Sequence, residues 1–316
     1  MRRILITGAS GLLGANLVLD AAGRHEVIAV THRHRLERPG VRSFQADLAN
    51  PGAAQELMRL VHPDWVIHCA AATDVDACEA DPGGAFRLNR DMAGWVAEAS
   101  AAIGARLAHI STDAVFDGKR GGYREDEAPN PINVYARSKL EGENAVRAVC
   151  REALIVRTNI YGWNAQEKRS LAEWFLNNLE NGRACQGFTD VLVSPLLVND
   201  LGDFLLRMLE TGLNGLYHVA GGDCLSKYDF GVLIAKTFGL DAGLIHPVGV
   251  EAGGLRAPRG RRLCLDGLKI QDELGVPLPR AREGLARFKA LRLERRPADL
   301  KRMARTSGIV REGADG

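Results

Sequence analysis

A glycine-rich turn near the start of this chain restricts the possible folds more than any other feature. It reads Gly8-Ala9-Ser10-Gly11-Leu12-Leu13-Gly14, between an apolar run at residues 4–7 and an amphipathic segment at residues 12–22. Gly8 permits a sharp turn, Gly11 lets the backbone approach a pyrophosphate, and Gly14 lets the following helix pack close to a sheet. Strand, glycine turn and helix in this order are typical of a dinucleotide-binding unit. The sequence therefore predicts cofactor contacts in this turn, at Gly8, Ser10, Gly11, Leu12, Leu13 and Gly14.

The first half of the chain alternates short apolar runs with amphipathic segments of helix length. This pattern predicts strands at residues 4–7, 26–31, 65–69, 106–110 and 153–158, and helices at 12–22, 53–61, 85–103 and 135–150. Strands joined by helices form right-handed βαβ units, which build a parallel sheet covered by helices on both faces. We therefore predict an α/β protein with a Rossmann doubly wound parallel sheet.

The pattern is less regular after residue 158. A helix is predicted at residues 163–180, a strand at 215–220, a helix at 228–238, and a solvated helix with a frayed tail at 291–316. We expect residues 1–160, rejoined by 190–220, to form the NAD(P)-binding Rossmann domain. Residues 161–189 and 221–316 are expected to form a smaller mixed α/β lobe that binds substrate.

Charge and hydropathy exclude several classes of protein. The 316 residues carry 41 Lys and Arg against 39 Asp and Glu, a net charge of +2, which does not favour a nucleic-acid binder. No apolar run approaches the ~20 residues of a membrane helix, and the N-terminal apolar run stops at Thr7-Gly8, too short for a signal peptide. A cytoplasmic protein without membrane or nucleic-acid partners is expected.

Six cysteines are scattered through the chain without a C-x-x-C pair. Such spacing favours reduced, buried thiols over a disulfide framework or a zinc site. No cluster of carboxylates stands out either. We predict no metal site.

The end of the second strand indicates which dinucleotide would bind. An acidic residue there would bind the ribose 2′-hydroxyl of NAD, but the sequence reads His32-Arg33-His34-Arg35. We predict that Arg33, helped by Arg35, meets the 2′-phosphate of NADPH. A solvated basic loop is the alternative, and NADH use stays open.

Two further strand ends are predicted to contact the cofactor. Asp47 and Leu48, at the end of the third strand, are placed on the adenine side, and Cys69-Ala70-Ala71 offers small residues where backbone must lie close to a ligand. Ordinary strand-end packing is the alternative at both places.

Tyr135 and Lys139 are the predicted catalytic pair. Their i, i+4 spacing puts them on one face of a helix, and a nearby ammonium is expected to lower the phenol pKa toward a usable range. This spacing alone also fits a surface helix. However, Ser111-Thr112-Asp113 follows directly after a predicted strand, at the sheet edge where ligands bind in doubly wound folds.

Several motifs together resemble one known family. They are Gly8–Gly14 with its G-x-x-G-x-x-G spacing, Val66-Ile67-His68-Cys69-Ala70-Ala71, Ile110-Ser111-Thr112-Asp113-Ala114-Val115-Phe116-Asp117-Gly118, and Val134-Tyr135-Ala136-Arg137-Ser138-Lys139-Leu140-Glu141-Gly142-Glu143. The chain resembles the extended short-chain dehydrogenase/reductases, in particular their dTDP-4-dehydrorhamnose reductase branch. The resemblance covers nearly the whole chain, strongly to about Thr158 and more loosely beyond it.

This resemblance implies an NADPH-dependent reductase of a 4-keto nucleotide sugar. Tyr135 would protonate the alkoxide that forms on the substrate, and Lys139 would hold the nicotinamide ribose. Thr112 would hydrogen-bond the carbonyl oxygen, with Ser111 as the second candidate, and Asn89 would support the active-site backbone. A homodimer is a family-level expectation. The residues expected to contact the nucleotide sugar are Thr73, Ser111, Asp113, Asn159, Arg256 and Arg259.

Some of these expectations leave alternatives. The loop bearing Arg256 and Arg259 could grip a diphosphate or be merely solvated. Related dehydratases carry a Glu directly after the Thr-Asp pair, and Ala114 stands at that position, which disfavours dehydration. An NAD-dependent sugar-nucleotide epimerase would use the same Tyr and Lys. A non-catalytic NADP-binding regulatory subunit and a reductase of a small carbonyl compound also stay open.

Overall fold

A computed structural model describes residues 1–304. Its central sheet has seven strands, all paired in parallel, in the order β11-β6-β5-β4-β1-β2-β3. The strands of this sheet are β1 (Arg3–Thr7), β2 (Glu26–Thr31), β3 (Val41–Gln45), β4 (Trp65–His68), β5 (Arg106–Thr112), β6 (Leu154–Thr158) and β11 (Gly215–His218). The prediction of a Rossmann doubly wound sheet is confirmed.

The helices of the first half connect these strands. They are α1 (Leu12–Ala21), α2 (Ala53–Val61), α3 (Val75–Ala80), α4 (Pro82–Phe86), α5 (Met92–Ala102) and α6 (Val134–Val149). From β1, the order of strands proceeds through β2 and β3 to one edge of the sheet. On the other side of β1 it proceeds through β4, β5 and β6 to β11 at the opposite edge. Ligands bind where the strand order reverses in such sheets. The carboxyl ends of β1 and β4 mark that place here.

Alternating side chains of β1 explain why both faces of the sheet are covered. Ile4 and Ile6 belong to one core, with α1 and the second half of the chain, whereas Leu5 belongs to the opposite core, with α2 and α5. All three side chains are fully buried. A strand buried on both sides reads as a continuous apolar run, which is why the sequence located β1 without difficulty.

The second half of the chain adds short strands and longer helices. Three two-stranded pairs form, β7 with β10, β8 with β13, and β9 with β12. The remaining elements are β7 (Ile160–Tyr161), α7 (Leu171–Glu180), β8 (Cys185–Phe188), β9 (Leu192–Val193), β10 (Leu196–Leu197), α8 (Val198–Thr211), β12 (Leu225–Ser226), α9 (Lys227–Phe238), β13 (Ile245–Val248), α10 (Leu268–Leu274), α11 (Ala281–Leu293) and α12 (Arg296–Ala304). The division of the chain into a Rossmann domain and a substrate lobe stays a prediction.

Two predicted helices differ from those of the structure. The helix expected at 163–180 begins only at Leu171, because Ser170 caps it: the Ser170 hydroxyl accepts from Glu173 N, and the Glu173 carboxylate accepts from Ser170 N. The helix expected at 85–103 contains a π-helical turn, Arg87–Asp91, before α5. Apolar periodicity alone detects neither a cap nor a π-helical turn.

The prediction that all cysteines are reduced is wrong for one pair. Cys224 and Cys264 form a disulfide, with their Cα atoms 5.5 Å apart. Cys69, Cys78, Cys150 and Cys185 are free thiols. The two bonded cysteines are 40 residues apart in sequence, so no local spacing indicated the pairing.

The C-terminal segment is less solvated than predicted. After α11, the short helix α12 buries Leu300 and Met303 in the core that also contains α1. The tail expected beyond it, residues 305–316, lies outside the described residues. Between residues 1 and 304, no helix combines the length and apolar character needed to span a bilayer.

Candidate active site

A cavity of about 880 Å³ lies at the carboxyl ends of the central strands. Its wall contains most of the residues singled out from the sequence: Gly8, Ser10, Gly11, Leu12, Leu13, Arg33, Asp47, Leu48, Cys69, Ala70, Ala71, Thr73, Ser111, Thr112, Asp113, Tyr135, Lys139 and Asn159. Gly14, Arg35, Asn89, Arg256 and Arg259 do not line it. We refer to this cavity as the cleft.

The glycine turn fits a pyrophosphate at the first helix. Gly8 has a φ of +61°, and a Cβ there would lie 2.7 Å from Ala70 N. A Cβ on Gly14 would lie 2.3 Å from the Gly8 carbonyl oxygen, so only glycine allows α1 to approach the turn so closely. No side chain caps the N-terminus of α1, where Gly11 precedes the first helical residue. Its free N–H groups and the helix dipole therefore favour an anion in the cleft.

The basic residues after β2 lie at the end of the cleft next to β2 and β3. His32, Arg33 and His34 line its wall, and Arg33 is exposed. Asp47 lies across from them, with its carboxylate 3.8 Å from His32 Nε2 and accepting from Ala49 N at 3.1 Å. The cleft thus presents an arginine where NAD-specific sites carry a carboxylate.

Tyr135 and Lys139 are positioned by the first turns of α6. The Asn133 side chain caps this helix by accepting from Ala136 N at 2.8 Å. One turn along, Lys139 is only 3% exposed, and its ammonium donates to the Ile110 carbonyl oxygen at 2.7 Å. The pair therefore faces the end of β5, where Thr112 lies.

The sequence predicts that Lys139 lowers the pKa of Tyr135, but this pKa is raised in the structure. Burial raises the pKa of Tyr135 to about 12, although its hydrogen bond to Thr112 acts in the opposite direction. Burial also lowers the pKa of Lys139 to about 8. The Lys139 ammonium donates to the Ile110 carbonyl oxygen, and desolvation dominates the pKa of Tyr135. Tyr135 therefore keeps its proton at neutral pH.

Thr112 and Ser111 differ in where their hydroxyl groups point. The Ser111 hydroxyl donates to the Glu143 carboxylate at 2.6 Å, in the protein interior. The Thr112 hydroxyl donates to Asp113 Oδ1 at 3.0 Å and contacts Tyr135. Of the two, Thr112 is the hydroxyl that neighbours the phenol.

Asp113 is a buried carboxylate next to this pair. Asn159 donates to its Oδ2 at 2.7 Å, and both residues line the cleft. Burial raises the pKa of Asp113 to about 6, with the hydrogen bonds from Asn159 and Thr112 opposing this shift. The site thus holds a second group that titrates near neutral pH.

Asn89 does not line the cleft, and its side chain contacts the backbone of Ala72, after β4. Its side chain accepts from Ala72 N at 2.8 Å and donates to the Ala72 carbonyl and the Ser138 hydroxyl. It lies in the π-helical turn, and a Cβ on Gly142 would come within 2.1 Å of its carbonyl oxygen. This geometry ties the strand end after β4 to α6.

Arg256 and Arg259 lie away from the cleft wall. The guanidinium of Arg259 donates to Asp76 Oδ1 at 3.0 Å and to the Ala257 carbonyl. Asp76 also accepts from Ala257 N at 2.9 Å, which fixes this loop against α3. Their contact with a diphosphate stays a prediction.

Sequence reasoning missed a segment of the second half that closes the cleft. Gln166, Lys168 and Arg169 line the cleft wall. The Gln166 side chain donates to the Ser10 carbonyl oxygen of the glycine turn, and the Lys168 ammonium lies 3.5 Å from Thr73 Oγ1. The apolar pattern assigned these residues to a helix. Their basic run, Lys168-Arg169, was the signal that could have found them.

Sequence reasoning also missed a buried ion pair between α6 and β6. Arg157 donates two hydrogen bonds of 2.8 Å to the carboxylate of Glu143, and both side chains are fully buried. The same carboxylate receives the Ser111 hydroxyl. The Arg157–Glu143 pair and the Ser111 hydroxyl thus join α6 to β5 and β6, on the same helix that carries Tyr135 and Lys139.

Within residues 1–304, no group of three or more His, Cys, Asp or Glu side chains could hold a metal ion. The titratable side chains of the cleft around the end of β5 are Asp113, Tyr135 and Lys139.

The fold, the glycine turn and the Tyr135–Lys139 pair define an oxidoreductase of the extended short-chain dehydrogenase/reductase class. Comparison with known proteins identifies the branch. A family model described as the RmlD substrate binding domain matches residues 1–292, and the chain belongs to this family. The family and the class of enzyme expected from the sequence are confirmed.

Two curated relatives are reductases. The chain is 36% identical to dTDP-4-dehydrorhamnose reductase of Mycobacterium tuberculosis over 90% of this chain and 91% of the relative. It is 35% identical to the probable low-salt glycan biosynthesis reductase Agl14 of Haloferax volcanii, over 90% and 96%. A solved dTDP-4-dehydrorhamnose reductase of Bacillus anthracis in complex with NADP superposes with a TM-score of 0.80 at 30% identity, covering 92% of this chain and 99% of that one.

Another relative has a different kind of name. The chain is 32% identical to methionine adenosyltransferase 2 subunit beta of Bos taurus, over 87% of this chain and 83% of the relative. Family membership therefore extends to a protein named as a subunit of another enzyme. The choice between a reductase and such a subunit depends on the site.

Proposed function

We propose that this protein is an NADPH-dependent reductase of a 4-keto nucleotide sugar. One observation carries the proposal: Thr112, Tyr135 and Lys139 share one cleft with the glycine turn. An anion site at α1 and a proton donor in the same cavity are what carbonyl reduction by a dinucleotide requires. The reductases of M. tuberculosis and B. anthracis support the same substrate class.

The residues around the turn fit NADPH in particular. Gly8, Gly11 and the N-terminus of α1 would hold the pyrophosphate. Arg33 would pair with the 2′-phosphate, since its guanidinium is planar and permanently charged. Asp47 and Leu48 would contact the adenosine. When bound, NADPH supplies the hydride that reaches the carbonyl carbon.

The protein's own part in the reaction is to position the ketone and donate a proton. The Thr112 hydroxyl, which donates to Asp113 Oδ1 in the free protein, turns to donate its proton to the carbonyl oxygen. Tyr135 delivers its phenolic proton as that oxygen gains negative charge. The high pKa of Tyr135 keeps the proton available at neutral pH. The ammonium of Lys139, held by Ile110, stabilises the phenolate left behind.

Cationic side chains of the second half support an anionic substrate. Lys168 and Arg169 line the cleft, and the Lys168 ammonium lies 3.5 Å from Thr73 Oγ1. Two cations suit the diphosphate of a nucleotide sugar. Asp113 and Asn159 present hydrogen-bonding groups for sugar hydroxyls beside Thr112.

The main alternative is a non-catalytic subunit that binds NADP, which the bovine relative brings into view. The presence of all three catalytic side chains in one cleft favours catalysis. Tyr135→Phe tests the choice, with Tyr228→Phe, a tyrosine of α9 outside the cleft wall, as control.

We expect wild-type protein and Tyr228→Phe to oxidise NADPH in the presence of a dTDP-4-keto sugar. The loss of absorbance at 340 nm measures this oxidation. Loss of a positioned general acid should slow Tyr135→Phe by about 100-fold or more, while its NADPH affinity stays unchanged. NADPH binding without turnover of any keto sugar by the wild type would overturn the proposal in favour of the subunit.

A further inference from the structure

Helix α12 lies beyond the part of the chain that the family model matches. The match ends at residue 292, and α12 spans Arg296–Ala304. The helix is nevertheless built into the molecule, because Leu300 is fully buried and Met303 is 3% exposed. Arg296 adds an ion pair of 2.6 Å to Asp20 of α1. The segment is therefore an anchored element that the family pattern does not include.

A chain of hydrogen bonds runs from α12 to the phosphate cradle. The Lys301 ammonium donates to the Gln166 carbonyl oxygen at 2.6 Å. The Gln166 side chain in turn donates to the Ser10 carbonyl oxygen, inside the glycine turn, at 2.9 Å. Gln166 and Ser10 both line the cleft. One lysine thus reaches the cofactor cavity through a single intervening residue.

A second contact joins α12 to the loop after β2. Glu37 N donates to the Met303 carbonyl oxygen at 3.0 Å. The neighbouring Leu36 is 1% exposed and packs in the same core as Met303. This loop carries Arg33, which lines the end of the cleft next to β2 and β3. The helix therefore contacts the loop after β2 directly and reaches the glycine turn through Gln166.

We propose that α12 positions the cofactor-binding loops, with Lys301 as its positioning residue for the glycine turn. Lys301 fixes the carbonyl of Gln166, which aims the Gln166 amide at Ser10 and holds the turn in its binding shape. A binding loop held in its bound conformation loses less conformational entropy when the ligand arrives. The inference rests on the proposed use of NADPH.

Lys301→Met in the full chain removes the ammonium and keeps an apolar stem of similar length. Lys289→Met is the matched control, because the Lys289 ammonium also donates to a backbone carbonyl, that of Thr237, but outside the cleft wall. Lys301→Arg retains a cation at the original position. Each variant is assayed for its NADPH Kd by fluorescence titration without substrate, and for its melting temperature.

We expect Lys301→Met to raise the NADPH Kd about five- to tenfold, the scale of one lost hydrogen bond of ordinary strength. Lys289→Met should stay within about twofold of wild type, and Lys301→Arg should recover part of the loss. Because Lys301 acts through Gln166, Gln166→Leu combined with Lys301→Met should bind NADPH no more weakly than the weaker single variant.

An NADPH Kd within about twofold of wild type for folded Lys301→Met would overturn the inference, as would equal losses in the two methionine variants. It would also be contradicted if the losses of NADPH affinity from Lys301→Met and Gln166→Leu were additive in the double variant. These outcomes leave the reductase proposal intact, since they concern binding alone. Failure of the wild type to bind NADPH would overturn both proposals.

Discussion

At the scale of single residues, burial shifts the pKa values of the proposed catalytic pair, Tyr135 and Lys139. Desolvation holds the pKa of Lys139 near 8 and that of Tyr135 near 12. The sequence predicted that both residues lie on one helix, and the structure places them on α6 in the cleft, but the predicted direction of the Tyr135 pKa shift is wrong. Spacing determines which side chains share a helix face, whereas the pKa depends on burial, which spacing does not show.

The lowered pKa of Lys139 predicts how activity depends on pH. Below about pH 8 the ammonium is charged and can stabilise the Tyr135 phenolate, and above it the charge is lost. We expect kcat/KM for the keto sugar to fall by about tenfold per pH unit above this point. Lys139→Arg stays charged at these pH values, so its weaker activity should be flat between pH 7 and pH 10. A wild-type profile that is flat to pH 10 would refute this role of Lys139.

Arg33 is predicted to decide which dinucleotide binds. Arg33→Ala should raise the Kd for NADPH about tenfold or more, the cost of a lost charge-assisted contact, and leave the Kd for NADH unchanged. Arg35→Ala is the control, because Arg35 is exposed but does not line the cleft. Equal losses of affinity for NADPH and NADH in Arg33→Ala would show that this residue does not meet the 2′-phosphate.

At the scale of elements, a buried ion pair holds the catalytic helix against the sheet. Glu143 of α6 receives two hydrogen bonds from Arg157 of β6 and one from Ser111 of β5. Arg147, one turn along α6, reaches the same carboxylate at 3.2 Å from a half-exposed position. The two arginines therefore share a partner but differ in burial.

Arg157→Met should lower the free energy of unfolding by about 3–5 kcal/mol, because it leaves the Glu143 carboxylate buried without its main partner. Arg147→Met should cost less than about 1 kcal/mol, the usual contribution of an exposed pair. Urea denaturation of both variants measures the difference. Comparable losses of stability in the two would mean that burial of the pair does not matter.

The elements also mark the limit of prediction from sequence. The glycine turn and α6 were predicted because their patterns are local, within seven and sixteen residues respectively. The segment around Lys168 was assigned to a helix because its amphipathic pattern continues into α7. This pattern does not reveal the Ser170 cap, at which the helix begins. The contact of Lys301 with Gln166 spans 135 residues, and no local pattern encodes such a contact.

At the scale of the whole molecule, a disulfide crosslinks two loops of the second half. Cys224 and Cys264 close a loop of about 40 residues. By the loss of loop entropy in the unfolded chain, a crosslink of this length stabilises by roughly 4 kcal/mol. The sequence could not predict it, because six cysteines allow many pairings and their spacing favours none.

Reduction of this bond should lower the melting temperature by several degrees. The decrease should occur in wild type and in Cys150→Ser, which removes a free thiol, but not in Cys224→Ser. Under non-reducing denaturation, thiol titration should count four free cysteines. A count of six, with a melting temperature that does not respond to reductant, would exclude the disulfide.

At the scale of the whole molecule, we propose that this protein reduces a carbonyl group with NADPH. The most direct test incubates the wild-type protein with a dTDP-4-keto sugar and NADPH carrying deuterium at the transferred position, followed by mass spectrometry of the sugar product. We predict that the product gains deuterium in step with NADPH oxidation. An unchanged keto sugar and unoxidised NADPH, with the dinucleotide bound, would contradict the account.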